Sequence, residues 1–234
     1  MDNKYLHCER RDVYALLMFS AGIVGAYTFM LRGGVFCNAQ TANVVLMAIA
    51  LGEGDVNKAL YYIIPIGAYC AGAIISEALP KTVNKLRFLR WDTYLIAVEM
   101  AVLFAAGLIP LSYPNQTVQI MINFIASMQY NTFRRMEGIP MATTFCTNHI
   151  RQVGIAAVKY VKKKDRTAMN RGLAHLFMIG CFFAGGVLLS LIQAIFGAKS
   201  IWIALIPTGV VFVQLSHADL TTEHDKLNQK PWGH

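Results

Sequence analysis

Long apolar runs with almost no charge constrain this chain more than any other feature of its sequence. A bilayer core of about 30 Å needs about 20 apolar residues of helix, because backbone polar groups in lipid must be satisfied within the segment itself. Five runs meet this requirement directly, and a sixth is free of charge but more polar. The five are 13–31, 59–79, 93–111, 172–197 and 200–216, and the sixth is 116–133. The sequence therefore predicts an all-α integral membrane protein with six transmembrane helices.

Composition and charge agree with a membrane protein. Only 15% of the residues are charged, whereas soluble domains have about 25%. The net charge of +8 could suggest nucleic acid, but the basic residues form short clusters between apolar runs and not one polar face. We therefore predict membrane lipid, and no nucleic acid, as a partner. The five cysteines form no Cys-x-x-Cys pair, so no metal site and no cofactor are predicted.

Two further stretches, 35–52 and 141–159, begin polar and become apolar only in their second halves. If both crossed the membrane, the basic loops 81–90 and 159–171 would lie on opposite sides, against the positive-inside tendency. If both dip in and return on the same side, all but three of the 21 Lys and Arg residues share one side. The charge pattern thus predicts two re-entrant half-helices, with both termini on the cytoplasmic side of the plasma membrane. The three exceptions are Arg32, Lys58 and Lys199.

An internal repeat is indicated by two similar motifs, GAYCAGA at 67–73 and GCFFAGG at 180–186. The order of segments is span, dip, span, span, and it occurs twice. Three crossings per half require the halves to be oppositely oriented, as in the inverted repeats of many transporters. The alternative is that small residues simply allow close helix packing. The predicted organisation is a cytoplasmic N-terminus (1–12), two membrane repeats (13–111 and 115–216) and a cytoplasmic polar tail (217–234).

The chain resembles a known family at two stretches. They are SAGIVGAYTFMLRGGVFCNAQTANVVLMAIALG at 20–52 and MATTFCTNHI at 141–150. Both resemble the YoaK-type small multipass membrane proteins, whose domain has no established function. Relatives carry Thr-Gly-Asn in the first stretch and Thr-Gly in the second, where this chain has Ala42 and Asn148 in place of glycine. The resemblance implies a small multipass membrane protein and no particular activity.

The two polar dips are the predicted solute site. Irregular polar backbone is tolerated at membrane depth only inside protein or beside a water-filled cavity, so the dips should face each other. Two helix N-termini at mid-membrane would present unpaired N–H groups to an anion or carboxylate. The alternative is that the polar residues only cap the helices. The predicted substrate-binding residues are Asn38, Gln40, Thr41, Asn43, Thr143, Thr144, Thr147, Asn148, His149 and Arg151.

Ionisable and polar residues inside the other spans supply further candidates. Glu99 lies near the middle of its span and is the candidate for proton coupling or for pairing with Arg151, because an intramembrane charge is costly. Asn123, Ser127 and Asn131 make the fifth predicted span polar. Their spacing of four residues places them on one helix face, which we predict to be the wall of a solute pathway.

The sequence favours a membrane transporter or channel for a small polar or anionic solute. No catalytic residues are predicted, because the chain lacks the usual motifs of zinc proteases, serine hydrolases and phosphate-binding loops. A non-transporting structural or sensory protein is the main alternative, and an intramembrane enzyme is a weaker one. Small-residue helix faces would also allow a homodimer.

Overall fold

The computed structural model describes residues 5–80, 88–227, 229 and 231. These residues are helical apart from loops and one short antiparallel hairpin, in which Arg135–Met136 pairs with Ile139–Pro140. The basic segment 81–87 lies outside the described residues. The α-helices are α1 (Arg11–Leu31), α2 (Thr41–Gly52), α3 (Val56–Ala78), α4 (Trp91–Leu108), α5 (Asn115–Thr132), α6 (Thr147–Lys163), α7 (Arg166–Phe196) and α8 (Leu205–Leu220).

Four helical stretches in the described part of the chain are long and apolar enough to cross a membrane. They are α1, α3, α4 and the 55-residue stretch Arg166–Leu220. That last stretch would extend about 80 Å as one straight helix, but its backbone turns at Gly197, where φ is +51°, so α7 and α8 are separate helices. The prediction of an all-helical integral membrane protein is confirmed at this level.

Two of the remaining helices are not candidate spans, one because it is too short and the other because it is too polar. The 12 residues of α2 reach only about 18 Å, which is too short to cross. The 18 residues of α5 are long enough but too polar, and α5 packs along α3 inside the bundle.

Hydrogen bonds bring the two described ends of the chain to the same end of the bundle. The backbone N–H of His7 donates to Glu223 Oε1 at 2.7 Å, and the N–H of Arg90 donates to Asp219 Oδ2 at 2.9 Å. The N-terminal segment, the start of α4 and the end of α8 therefore meet. We name this the terminal end of the bundle.

A buried charge cluster, defined as Arg90, Asp92, Asp219 and Glu223, holds the terminal end together. The Arg90 side chain is only 2% exposed, and its Nε lies 3.2 Å from Asp92 Oδ1. Asp219 and Glu223 each approach the guanidinium at 4.0 Å. In the described salt bridges, Arg90 is the cation shared by all three carboxyl groups, so its removal would leave them without a cationic partner.

Arg32 closes the opposite end of the bundle. Its guanidinium is fully buried and donates to the Tyr27 hydroxyl at 2.9 Å. It also donates to the backbone carbonyls of Pro110 at 3.1 Å, Ala106 at 3.4 Å and Ile109 at 2.5 Å. The last carbonyls of a helix lack intrahelical partners, and Arg32 satisfies that of Ala106 and the two that follow the end of α4.

Close backbone approaches fix two helix pairs, α1 with α7 and α3 with α5. A β-carbon on Gly185 would lie 2.0 Å from a carbonyl oxygen of α1, and one on Gly72 would lie 2.3 Å from a carbonyl oxygen of α5. These glycines occupy the same position in the two similar motifs. The first glycines of the motifs, Gly67 and Gly180, have no atom within 4 Å of such a carbon. Only the sixth motif position therefore requires glycine for packing.

Candidate functional site

A small cavity lined by buried residues lies where the two polar loops meet α1, α4 and α5. Its polar lining comes from Asn38 in the loop before α2, Thr144 in the loop before α6, Glu99 on α4 and Gln129 on α5. Apolar side chains of α1 and α5 complete the wall. The space is about 10 Å³, which is about enough for one water molecule. The structure is therefore closed around a site that a larger solute would have to widen.

Three residues of the cavity lining carry a buried polar atom that has no hydrogen-bond partner among the described residues. These atoms are Glu99 Oε2, Gln129 Nε2 and Thr144 Oγ1. Each such buried atom costs about 1 to 3 kcal/mol, so a water or a polar ligand in the cavity would stabilise the fold. Glu99 is 3% exposed and forms no ion pair in the described ranges. Burial without a cation favours the neutral carboxylic acid.

The first polar loop is held by side-chain amides. Gln40 Nε2 donates to Asn123 Oδ1 at 2.6 Å, and Asn43 Nδ2 donates to Gln40 Oε1 at 3.0 Å. Asn38 Nδ2 donates to a backbone carbonyl of α1 at 3.3 Å. Of the predicted residues in this loop and the start of α2, only Asn38 lines the cavity. Thr41, the first residue of α2, is exposed.

In the second polar loop, the two loop threonines are buried, whereas the threonine at the start of α6 is exposed. Thr143 and Thr144 are buried, and neither hydroxyl has a partner among the described residues. His149 Nε2 donates to the carbonyl of Ala142 at 3.0 Å and so ties the loop back to α6. Thr147 is exposed. In both loops, the buried polar residues precede the helix start by three or four positions.

Arg151 lies away from the cavity. Its Nη2 donates to Asn148 Oδ1 at 2.9 Å on the exposed side of α6. It forms no ion pair with Glu99, although such a pair was one expectation from the sequence. The described side chains therefore leave Glu99 without a cationic neighbour.

The polar residues of α5 divide between two faces. Asn131 Nδ2 donates to Ser76 Oγ on α3 at 2.9 Å, Ser127 packs against Gly72 of α3, and Asn123 bonds to Gln40. These three predicted wall residues hold α3 and the first loop. The cavity face of α5 is instead formed by Ile122, Ile125, Ala126 and Gln129. Their i, i+3, i+4, i+7 spacing is one helix face, so that spacing was the available signal for Gln129.

Two buried histidines form a pair that the sequence did not indicate. His175 Nδ1 and His149 Nδ1 lie 3.1 Å apart. Because His149 Nε2 donates to a carbonyl, its Nδ1 in the neutral ring accepts, and His175 Nδ1 donates. The pair joins α6 to α7. The described residues contain no group of three His, Cys, Asp or Glu side chains that could hold a metal ion.

A larger pocket of about 320 Å³ lies beside the second polar loop. It is lined by Tyr130, Phe145 and Asn148, among others. The rings of Tyr130 and Phe145 are 4.9 Å apart. Each of these two residues directly follows a cavity residue, Gln129 or Thr144. The pocket has room for a small organic molecule, which the cavity in this closed form does not.

Comparison with known proteins identifies the family of this chain. A family model described as "Protein of unknown function (DUF1275)" matches residues 13–214. The chain belongs to this family. The chain is also similar to the UPF0700 transmembrane protein YoaK of Bacillus subtilis (strain 168), with 20% identity over 205 residues that cover 84% of this chain and 90% of that protein. The resemblance to YoaK-type proteins is confirmed, as is the membrane location. No solved structure matches.

Proposed function

We propose that this DUF1275 protein is a membrane transporter or channel for a small polar or anionic solute that binds in the central cavity. One observation carries the proposal. Asn38 from the first polar loop, Thr144 from the second and Glu99 from α4 line one small space, and Thr144 Oγ1 and Glu99 Oε2 have no partner among the described residues. A solute with hydrogen-bonding atoms would satisfy them.

The protonation of Glu99 gives the proposed site a way to couple solute to protons. A neutral carboxyl donates one hydrogen bond, so it can bind an anionic oxygen that an ionised carboxylate would repel. Binding of an anion would then require the proton on Glu99, and release of both on one side would move them together. Glu99 is therefore the proposed coupling residue.

The proposed topology has six crossings, formed by α1, α3, α4, α5, α7 and α8. In it, α2 and α6 are half-helices that return to the side from which their polar loops enter. The helices α1 to α4 and α5 to α8 form an inverted repeat. The packing supports this scheme, because exchanging the two halves converts the α1–α7 contact into the α5–α3 contact. The terminal end of the bundle is the cytoplasmic side in this scheme.

Thermal unfolding of the detergent-purified protein against a panel of small anions, carboxylates, nucleobases and cations tests the binding site. A solute at about 100 times its Kd should stabilise the protein by about 2.7 kcal/mol. We expect Thr144→Val to abolish the shift, since it removes a hydroxyl of the polar lining. Glu99→Gln should keep the shift but remove its pH dependence, since the amide is a neutral hydrogen-bond donor at every pH. An anionic solute should act more strongly at pH 6 than at pH 8, because its binding needs the protonated carboxyl.

The exposed threonines at the helix starts provide matched controls. Thr41→Val and Thr147→Val make the same chemical change outside the cavity and should leave the shift intact. If these variants abolish it and Thr144→Val does not, the solute binds at the helix starts and not in the cavity. If no solute on the panel stabilises the protein, the result contradicts the proposal and favours a structural or sensory role.

A further inference from the structure

A second polar pocket lies between α6 and α7, apart from the central cavity. Its volume is about 150 Å³, and its lining includes Lys159, Arg171, Gln152 and Thr167, with the buried His175 at its inner side. Lys159 lies toward the C-terminal end of α6 and Arg171 toward the N-terminal end of α7. The pocket therefore opens where the two helices meet at their connecting turn.

The floor of this pocket is rigid. A β-carbon on Gly172 would lie 2.5 Å from the β-carbon of Ala156, so the two helices are in direct contact there. The bond between His175 and His149 adds a polar link one turn further along. Helix packing therefore fixes the backbone positions from which the pocket's side chains extend.

The pocket has an excess of positive charge. Neither Lys159 nor Arg171 takes part in an ion pair within the ranges that the structure describes. The one acidic residue of the lining, Asp165, caps α7 by accepting from the N–H of Ala168 at 2.9 Å. Further cations follow nearby in the sequence, at Lys162, Lys163, Lys164 and Arg166. The electrostatic potential therefore favours an anion.

The surroundings favour a lipid over a free anion. Ile155 belongs to the pocket wall and is exposed, and Val158, Leu173, Leu176 and Phe177 are exposed on the same two helices. Exposed apolar side chains beside a basic pocket suit acyl chains and a headgroup in one molecule. Basic pockets between membrane helices on the cytoplasmic side are a recurring type of headgroup site.

We propose that this pocket binds the phosphate headgroup of an anionic phospholipid, with Arg171 and Lys159 as the phosphate ligands. Arg171 can bind two phosphate oxygens through its planar guanidinium, and Lys159 supplies a point charge. Gln152 and Thr167 are placed to donate further hydrogen bonds. This site uses the proposed topology, in which the turn between α6 and α7 is cytoplasmic, but it does not depend on the function proposed for the central cavity.

Native mass spectrometry in detergent tests the proposal by counting retained lipids. Phosphatidylglycerol is titrated against phosphatidylcholine, and we expect selective retention of phosphatidylglycerol. The double variant Lys159→Gln with Arg171→Gln should weaken its binding at least about tenfold, because it removes both charge-assisted contacts to the phosphate. Thermal unfolding checks that the variant is folded.

The control variant is Lys162→Gln with Lys163→Gln, which removes two charges from the same helix end but outside the pocket. Equal weakening in both double variants would overturn the site, because it would reveal only diffuse attraction to surface charge. A separate arm adds inorganic phosphate without lipid. If millimolar phosphate stabilises the protein and displaces phosphatidylglycerol, the pocket binds a soluble phosphate and the lipid proposal is wrong.

Discussion

Arg90→Met should destabilise the protein by about 3 to 5 kcal/mol, because it leaves buried carboxylates without their cation. Asp92, Asp219 and Glu223 all approach the Arg90 guanidinium. Met has a similar volume and keeps the apolar contacts of the side chain. The loss of unfolding free energy therefore measures the effect of removing the charge. Chemical unfolding of the purified protein in detergent measures the difference.

The loss should be smaller at pH 5 than at pH 8. Burial raises the pKa of the Glu223 carboxyl above its usual value. Arg90 opposes that rise, so Glu223 should take up its proton at a higher pH in the variant than in the wild type. Folding of the variant therefore gains more than folding of the wild type as the pH falls from 8 to 5. Arg10→Gln is the control, since its ion pair with Asp12 is exposed and such pairs contribute about 0 to 1 kcal/mol. Similar losses in both variants would contradict a special role for Arg90.

Gly185→Ala and Gly72→Ala should each destabilise the bundle by roughly 1 to 3 kcal/mol, as overpacking does. A methyl group at either site would overlap a backbone carbonyl oxygen of the facing helix. A backbone atom cannot rotate away like a side chain, so α1 must separate from α7, or α3 from α5. Unfolding in detergent again measures the change.

The other motif glycines serve as the controls for this prediction. Gly67→Ala and Gly180→Ala put a methyl group where no atom lies within 4 Å. They should be neutral, or stabilising by up to about 1 kcal/mol, because Ala is the better helix former. Losses at Gly67 or Gly180 that match those at Gly72 or Gly185 would mean that the close helix contacts do not lie at the sixth motif position.

The sequence could predict the helices because their signals are local. Long apolar runs with almost no charge mark the spans, and the change from polar to apolar within 35–52 correctly separated an irregular loop from α2. The glycine motifs likewise marked helix contacts. Which glycine makes the contact could not be predicted, because Gly67 and Gly72 differ only in the surroundings that each one faces.

The residues that line the candidate site could not be predicted from the sequence, because they depend on how the two polar loops fold back into the bundle. Helix-capping logic placed Thr41 and Thr147 at its centre, but the structure leaves both exposed and turns Asn38 and Thr144 inward. The same difficulty arose on α5, where a polar stripe at Asn123 faces away from the cavity and the cavity face is mostly apolar. Polarity marks residues that need partners, and those partners can be another helix as readily as a solute.

The central claim is that the closed cavity opens to water, and cysteine accessibility tests it without a known substrate. Ala126 lines the cavity, so Ala126→Cys in a chain whose native cysteines are replaced should react with a small water-soluble methanethiosulfonate whenever the open state forms, even at about 0.1 to 10% population. Ala106→Cys, also buried but outside the cavity, is the control. Faster modification at position 126 than at 106 is the expected result, and equal lack of reaction at both positions in the folded protein would contradict the claim.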